Sequence, residues 1–138
     1  MNTNELVVSE WISAALEDFG CATVLAKVPY YAPACYHCQQ SVEKILKAYI
    51  IAKENILIKT HDLDDLVNKC ERHNIDFDKF KDACEDLTLY TTIRYPPFGN
   101  MTEQNMKQAL KEAHDVLEFT KSKLAEMGFE VNQKDAPI

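Results

Sequence analysis

Apolar residues recur along most of this chain at intervals of three and four, the period of a helix with one buried face. The densest example starts at Cys35. Cys35, Cys38, Val42, Ile45, Leu46 and Tyr49 form one apolar stripe. Gln40, Lys44 and Lys47 step along a neighbouring face at i, i+4 and i+7, with Gln39 and Glu43 beside them. One helix thus carries both a wall of core and a row of polar, partly cationic groups. Other helices are expected to supply the remaining walls.

Upstream, the pattern predicts a first helix from about Leu6 to Lys27, with Trp11, Ala14, Ala15, Ala22 and Leu25 as its core face. Asp18 falls on the same stripe and must be paired or stay near water, because an isolated buried charge is costly. A lysine of the second helix or Arg94 would serve as its partner; a ligand site is the other reading. Pro29 and Pro33 bracket a short connection into the second helix, which continues to about Glu54. Thr60 is expected to cap a third helix, about His61 to His73, with Asp62, Asp64 and Asp65 in its first turn and Leu63, Leu66, Val67 and Cys70 inward. After a turn at Asn74 to Asp76, the spacing of Phe77, Phe80, Cys84 and Leu87 predicts a fourth helix to about Tyr90.

One stretch resists helix. T-T-I-R-Y-P-P-F-G-N reads as a proline-stiffened loop that presents Arg94, Tyr95 and Phe98. Thr102 then caps a last long helix with Met106, Ala109, Leu110, Ala113, Val116, Leu117, Leu124 and Met127 facing inward, ended by Gly128. The expectation is one all-α domain over residues 1–138, an up-and-down bundle of about five helices with a four-helix-bundle-like core. Residues 1–5 and 129–138 are expected to fray.

Composition narrows the function. Three glycines and five prolines in 138 residues suit long helices with few tight turns. No apolar run approaches the ~20 residues that span a bilayer, so no membrane partner is expected. The first residues lack the basic-then-apolar layout of a secretory signal. Five irregularly spaced cysteines suit a reducing compartment, which points to the cytoplasm. A formal net charge of −7 argues against broad, sequence-independent binding to duplex nucleic acid, yet leaves room for a local anion site.

Cys35-Tyr36-His37-Cys38 contains a C-x-x-C, but no second such pair completes a tetrahedral metal site, and one helical turn between the thiols makes them core-lining residues. No paired E-x-x-H motif supports a di-metal bundle. No metal or cofactor is expected. Gln40, Lys44, Lys47 and the Thr60-His61-Asp62 run are the best ligand candidates, since amides can read base or ribose edges and lysines can meet phosphate. The alternative is a solvated helix face followed by a helix cap. Arg94 suits bidentate phosphate recognition, or else an ion pair with Asp18, Glu43 or Asp62. Tyr95 would stack on a base or close the core.

The run Q-Q-S-V-E-K-I-L-K-A, then T-H-D-L about a dozen residues later, then Arg94-Tyr95-Pro96, resembles the HEPN domain (higher eukaryotes and prokaryotes nucleotide-binding). The resemblance covers most of the chain, from about Trp11 to the final helix. It implies a helical nucleotide- or RNA-binding module of the bacterial stand-alone type, acting as a homodimer through its first, second or last helix. Such relatives often work beside a small nucleotidyltransferase in toxin–antitoxin-like pairs. On this resemblance Lys44, Lys47 and Arg94 would bind phosphate, Gln40, His61 and Tyr95 would address base or sugar, and Asp62 would belong to the same site. Many HEPN domains are ribonucleases, in which an arginine is followed after four to six polar residues by a histidine. Here Arg94 is followed by Y-P-P-F-G-N-M-T, without histidine, so a binding module is expected rather than an enzyme. The rivals are a metal-independent endoribonuclease using Arg94 with His61 or His114, and an interaction scaffold with no small ligand.

Overall fold

The computed structural model describes residues 3–56, 58–92 and 101–129. They form α1 (Thr3–Lys27), α2 (Tyr31–Glu54), α3 (Leu63–His73), a 3₁₀ helix (Ile75–Phe80), α4 (Lys81–Thr92) and α5 (Glu103–Glu126), with no strand among the described residues. The all-α bundle expected from the periodicity is what the chain adopts. The loop expected to present Arg94, Tyr95 and Phe98 lies outside the described residues, as does the tail beyond residue 129.

α2 is the axis of the bundle. It packs against α1, α3, α4 and α5 and is therefore covered on nearly every side. Its expected stripe, Cys35, Cys38, Val42, Ile45, Leu46 and Tyr49, is buried throughout. So, however, are Gln39, Ser41, Glu43 and Lys47 on the polar side. α1 runs antiparallel to α2, so that Asn4 reaches the Ile51 carbonyl and the Asn55 side chain near the end of α2, while Asp18 meets Lys44 nearer its start.

Several local expectations shift. The buried face of α1 is Val8, Ile12, Ala15, Leu16, Asp18, Phe19 and Ala22, a stripe turned slightly from the expected one, with Trp11 and Leu25 only partly covered. Pro33 sits inside the first turn of α2 rather than before it, because first-turn amides have no intrahelical acceptor to lose. Asp62, not Thr60, caps α3: its carboxylate accepts from the Asp64 amide at 2.8 Å, and Thr60 Oγ1 accepts from the Asp62 amide at 3.2 Å. The fourth helix begins as a 3₁₀ turn. Residues three apart eclipse in that geometry, so Phe77 and Phe80 share one side and meet Phe119 edge-on, at centroid separations of 5.0 and 5.2 Å.

The ends of α5 form as their residues dictate. Thr102 and Asn105 make a reciprocal capping box. Gly128, at φ +96°, takes the left-handed conformation that lets the Phe129 amide return to the Leu124 carbonyl at 3.0 Å. No helix among the described residues is long and apolar enough to cross a membrane.

Candidate functional site

Two charge clusters stand on α2. In the first, the Asp18 carboxylate of α1 accepts from Lys44 Nζ at 2.6 Å and from His37 Nδ1 at 2.8 Å. Asp18 thus finds the lysine partner on the second helix that its buried position requires. In the second, Glu43 Oε2 accepts from Lys47 Nζ at 3.1 Å and from His61 Nδ1 at 2.8 Å. Glu43 and Lys47 are one helical turn apart, with side chains only 5% and 3% exposed. His61, by contrast, is 80% exposed.

The geometry of the second cluster has chemical content. A carboxylate acceptor at Nδ1 requires the proton there, which leaves Nε2 of the neutral imidazole facing outward as a base or hydrogen-bond acceptor. Lys47 completes the charge balance and lies 5.4 Å from the centre of the Trp11 ring. Trp11 also lines a groove of about 640 Å³ with Thr3, Asn4, Val7, Ile51, Asn55 and Ile56, where the start of α1 meets the end of α2.

The structure brings Lys47 and His61 together, through Glu43. Lys44 belongs to the separate Asp18 cluster, and Gln40 donates to the neighbouring Gln39 side chain at 2.8 Å. Asp62 is engaged in capping α3. His114 is exposed on α5, its ring 6.1 Å from that of Phe19. Arg94 and Tyr95 lie outside the described residues. Reasoning from sequence passed over His37 and gave Glu43 no role at the ligand face. The i, i+4 spacing of Glu43 and Lys47 was a visible signal; its burial was not.

The C-x-x-C thiols line the core. Burial pushes Cys35 up to about 11 and Cys84 to about 12, and raises Cys38 and Cys70 further above the ordinary thiol range. Cys21 alone is exposed. A thiol reagent should therefore titrate one of the five cysteines quickly in the native protein and the other four only on unfolding. Fast reaction of more than one would contradict this packing. Among the described residues, no group of three or more histidine, cysteine or acidic side chains is arranged to hold a metal ion.

Fold and site together define a small helical-bundle domain whose central helix carries two clusters of paired charges. The family model for the HEPN domain matches residues 8–124, and the chain belongs to the HEPN family. A protein of Methanocaldococcus jannaschii, "Putative toxin MJ1304", is 30% identical over 137 residues, covering 84% of this chain and 87% of the relative. TT1696 from Thermus thermophilus has a similar structure, with a TM-score of 0.74 and 24% identity over 84% of this chain and 97% of that one. ST0689, an archaeal HEPN homologue, gives a TM-score of 0.65 at 21% identity, over 85% of this chain and 97% of its own.

Proposed function

We propose that this chain is a toxin-class HEPN module that binds nucleotide or RNA as a homodimer and works with a nucleotidyltransferase-like protein. The observation that carries the reading is the exposed His61 imidazole, held by a buried Glu43–Lys47 pair beside Trp11. A preset imidazole can bond a ribose hydroxyl or a phosphate oxygen, and an indole next to a groove offers a stacking wall for a base. Lys44 and Lys47 already hold carboxylates. The phosphate charge would therefore fall mainly to Arg94, and Gln40 and Tyr95 would address base or sugar. The toxin name of the archaeal relative supports the assignment to a two-component pair.

A thermal-shift titration tests this, using nucleotides, inorganic phosphate and short RNAs on the wild type, His61→Ala and Arg94→Ala. A ligand of the folded state raises the melting temperature according to RT ln(1 + [L]/Kd). The expected result is a rise with nucleotide or RNA that is lost in Arg94→Ala and reduced in His61→Ala. No rise with any of them at about 1 mM would reject ligand binding and leave an interaction scaffold. A monomer by light scattering would remove the homodimer.

The free Nε2 of His61 also favours the catalytic reading. A metal-independent endoribonuclease would use Arg94 on the charged transition state and His61 for proton transfer. It predicts RNA cleavage that persists in chelator and disappears in either Arg94→Ala or His61→Ala. Cleavage retained in both would exclude it.

A further inference from the structure

Asn4, Val7 and Trp11 share one face of α1, at i, i+3 and i+7, and line the groove of about 640 Å³ together with Ile51, Asn55 and Ile56 at the end of α2. None of these side chains carries a formal charge. Val7 and Ile51 supply apolar surface, and Trp11 is the only tryptophan in the chain. The centre of its ring is 5.4 Å from Lys47 Nζ, which is 3.5 Å from His61 Nδ1, so the groove adjoins the His61 cluster.

Two amides add direction to this apolar lining. Asn4 Nδ2 donates to the Asn55 side-chain oxygen at 2.8 Å and to the Ile51 carbonyl at 3.3 Å. A carbonyl only accepts, so Ile51 fixes which end of the Asn4 amide is nitrogen, and Asn4 in turn fixes the Asn55 amide. One acceptor, Asn4 Oδ1, and one donor, Asn55 Nδ2, are left over without a hydrogen-bond partner among the described residues. Asn55 is itself held in place by the backbone. It ends α2 in the left-handed conformation, at φ 54°, with its amide nitrogen donating to the Ile51 carbonyl at 2.8 Å.

An uncharged groove with an indole wall and an open donor and acceptor suits a nucleobase better than a phosphate or a charged peptide. A base is planar, offers a π face for stacking, and carries donors next to acceptors along its Watson–Crick edge. We propose that this groove receives an unpaired nucleobase on Trp11, with its Watson–Crick edge read by Asn4 Oδ1 and Asn55 Nδ2. The proposal rests on nucleotide or RNA binding at the His61 cluster and adds which part of the ligand is read. In adenine, a ring nitrogen accepts from Asn55 and the exocyclic amino group donates to Asn4. The ribose then points toward the His61 imidazole. A base inside a duplex has this edge occupied by its complement, so the ligand is single-stranded, in keeping with a net charge of −7 that disfavours duplex binding.

Titrating the full chain with adenosine while following Trp11 emission tests the groove without help from a phosphate. Adenosine should change the emission saturably. N6,N6-dimethyladenosine keeps the ring face but blocks the amino donor, and should bind at least about threefold more weakly. Asn55→Gly retains the left-handed cap while removing the amide, and Asn4→Ala suits the helix. Each should weaken adenosine about three- to tenfold, the worth of one neutral hydrogen bond, and leave the response to inorganic phosphate unchanged. A single-stranded RNA should perturb Trp11, and the same strand annealed to its complement should not. No saturable response to adenosine, equal binding of the dimethyl analogue, undiminished affinity in both variants, or an equal response to duplex would each overturn the proposal. Nucleotides that raise the melting temperature without changing Trp11 emission would overturn it and leave nucleotide binding standing; no response in either measurement would reject both.

Discussion

Lys47→Ala should lower the unfolding free energy by about 3–5 kcal/mol, the range for breaking a buried ion pair from one side. Its ammonium is 3% exposed and balances Glu43, which is 5% exposed, so its removal leaves a carboxylate shut away from water. Among the described residues, the other ion-pair partner of Glu43 is His61. Replacing both partners by apolar residues, as in Glu43→Leu with Lys47→Met, should cost far less than Lys47→Ala alone, because no charge is then stranded. Urea denaturation measures both variants against the wild type. A Lys47→Ala loss below about 1 kcal/mol would show that the pair behaves like a solvated surface bridge.

Glu112→Gln should change the slope of stability with pH. In the folded chain the carboxyl titrates near 8, raised from 4.5 by burial and by Asp86. Between those values the folded state holds a proton that the unfolded state has released, so stability falls as pH rises through the window. Below it the contribution is fully present; above about 8 it is lost. Glutamine cannot ionise, and it keeps the shape of the side chain. The variant should match the wild type near pH 4.5 and exceed it by roughly 2–4 kcal/mol at pH 8.5, since each tenfold change in proton affinity is worth about 1.4 kcal/mol. Parallel stability profiles for the two proteins would place the Glu112 titration outside this window.

The inward residues of α3 were fully legible. Leu63, Leu66, Val67 and Cys70 are apolar on one side of a short helix with a strongly polar back, and all four are buried. The cap at Thr102 was legible too, because a capping box is made by residues three apart in the chain. α2 was legible only in part. Its polar row read as a ligand face or a solvated one, yet Glu43 and Lys47 are among the most enclosed charges of the described residues. On α5, Glu112 and Thr120 were not among the residues expected inward, and both are buried. Nothing local distinguishes them from Glu118 or Lys107, which are exposed polar residues of the same helix.

The candidate site divides in the same way. The Q-Q-S-V-E-K-I-L-K-A and T-H-D-L runs carried the family, which the match over residues 8–124 shows. That His61 would close on Glu43, eighteen positions earlier, depended on how α3 docks against α2.

The sequence by itself determined how many helices form, the buried stripes of α2 and α3, the capping box of α5, and the family to which the chain belongs, because periodicity, capping and short motifs are local interactions. Only the tertiary structure decided which faces are covered. A helix packed on one side and a helix packed on all sides can have the same period, and the charge that must be paired is known only once its neighbours have excluded the water.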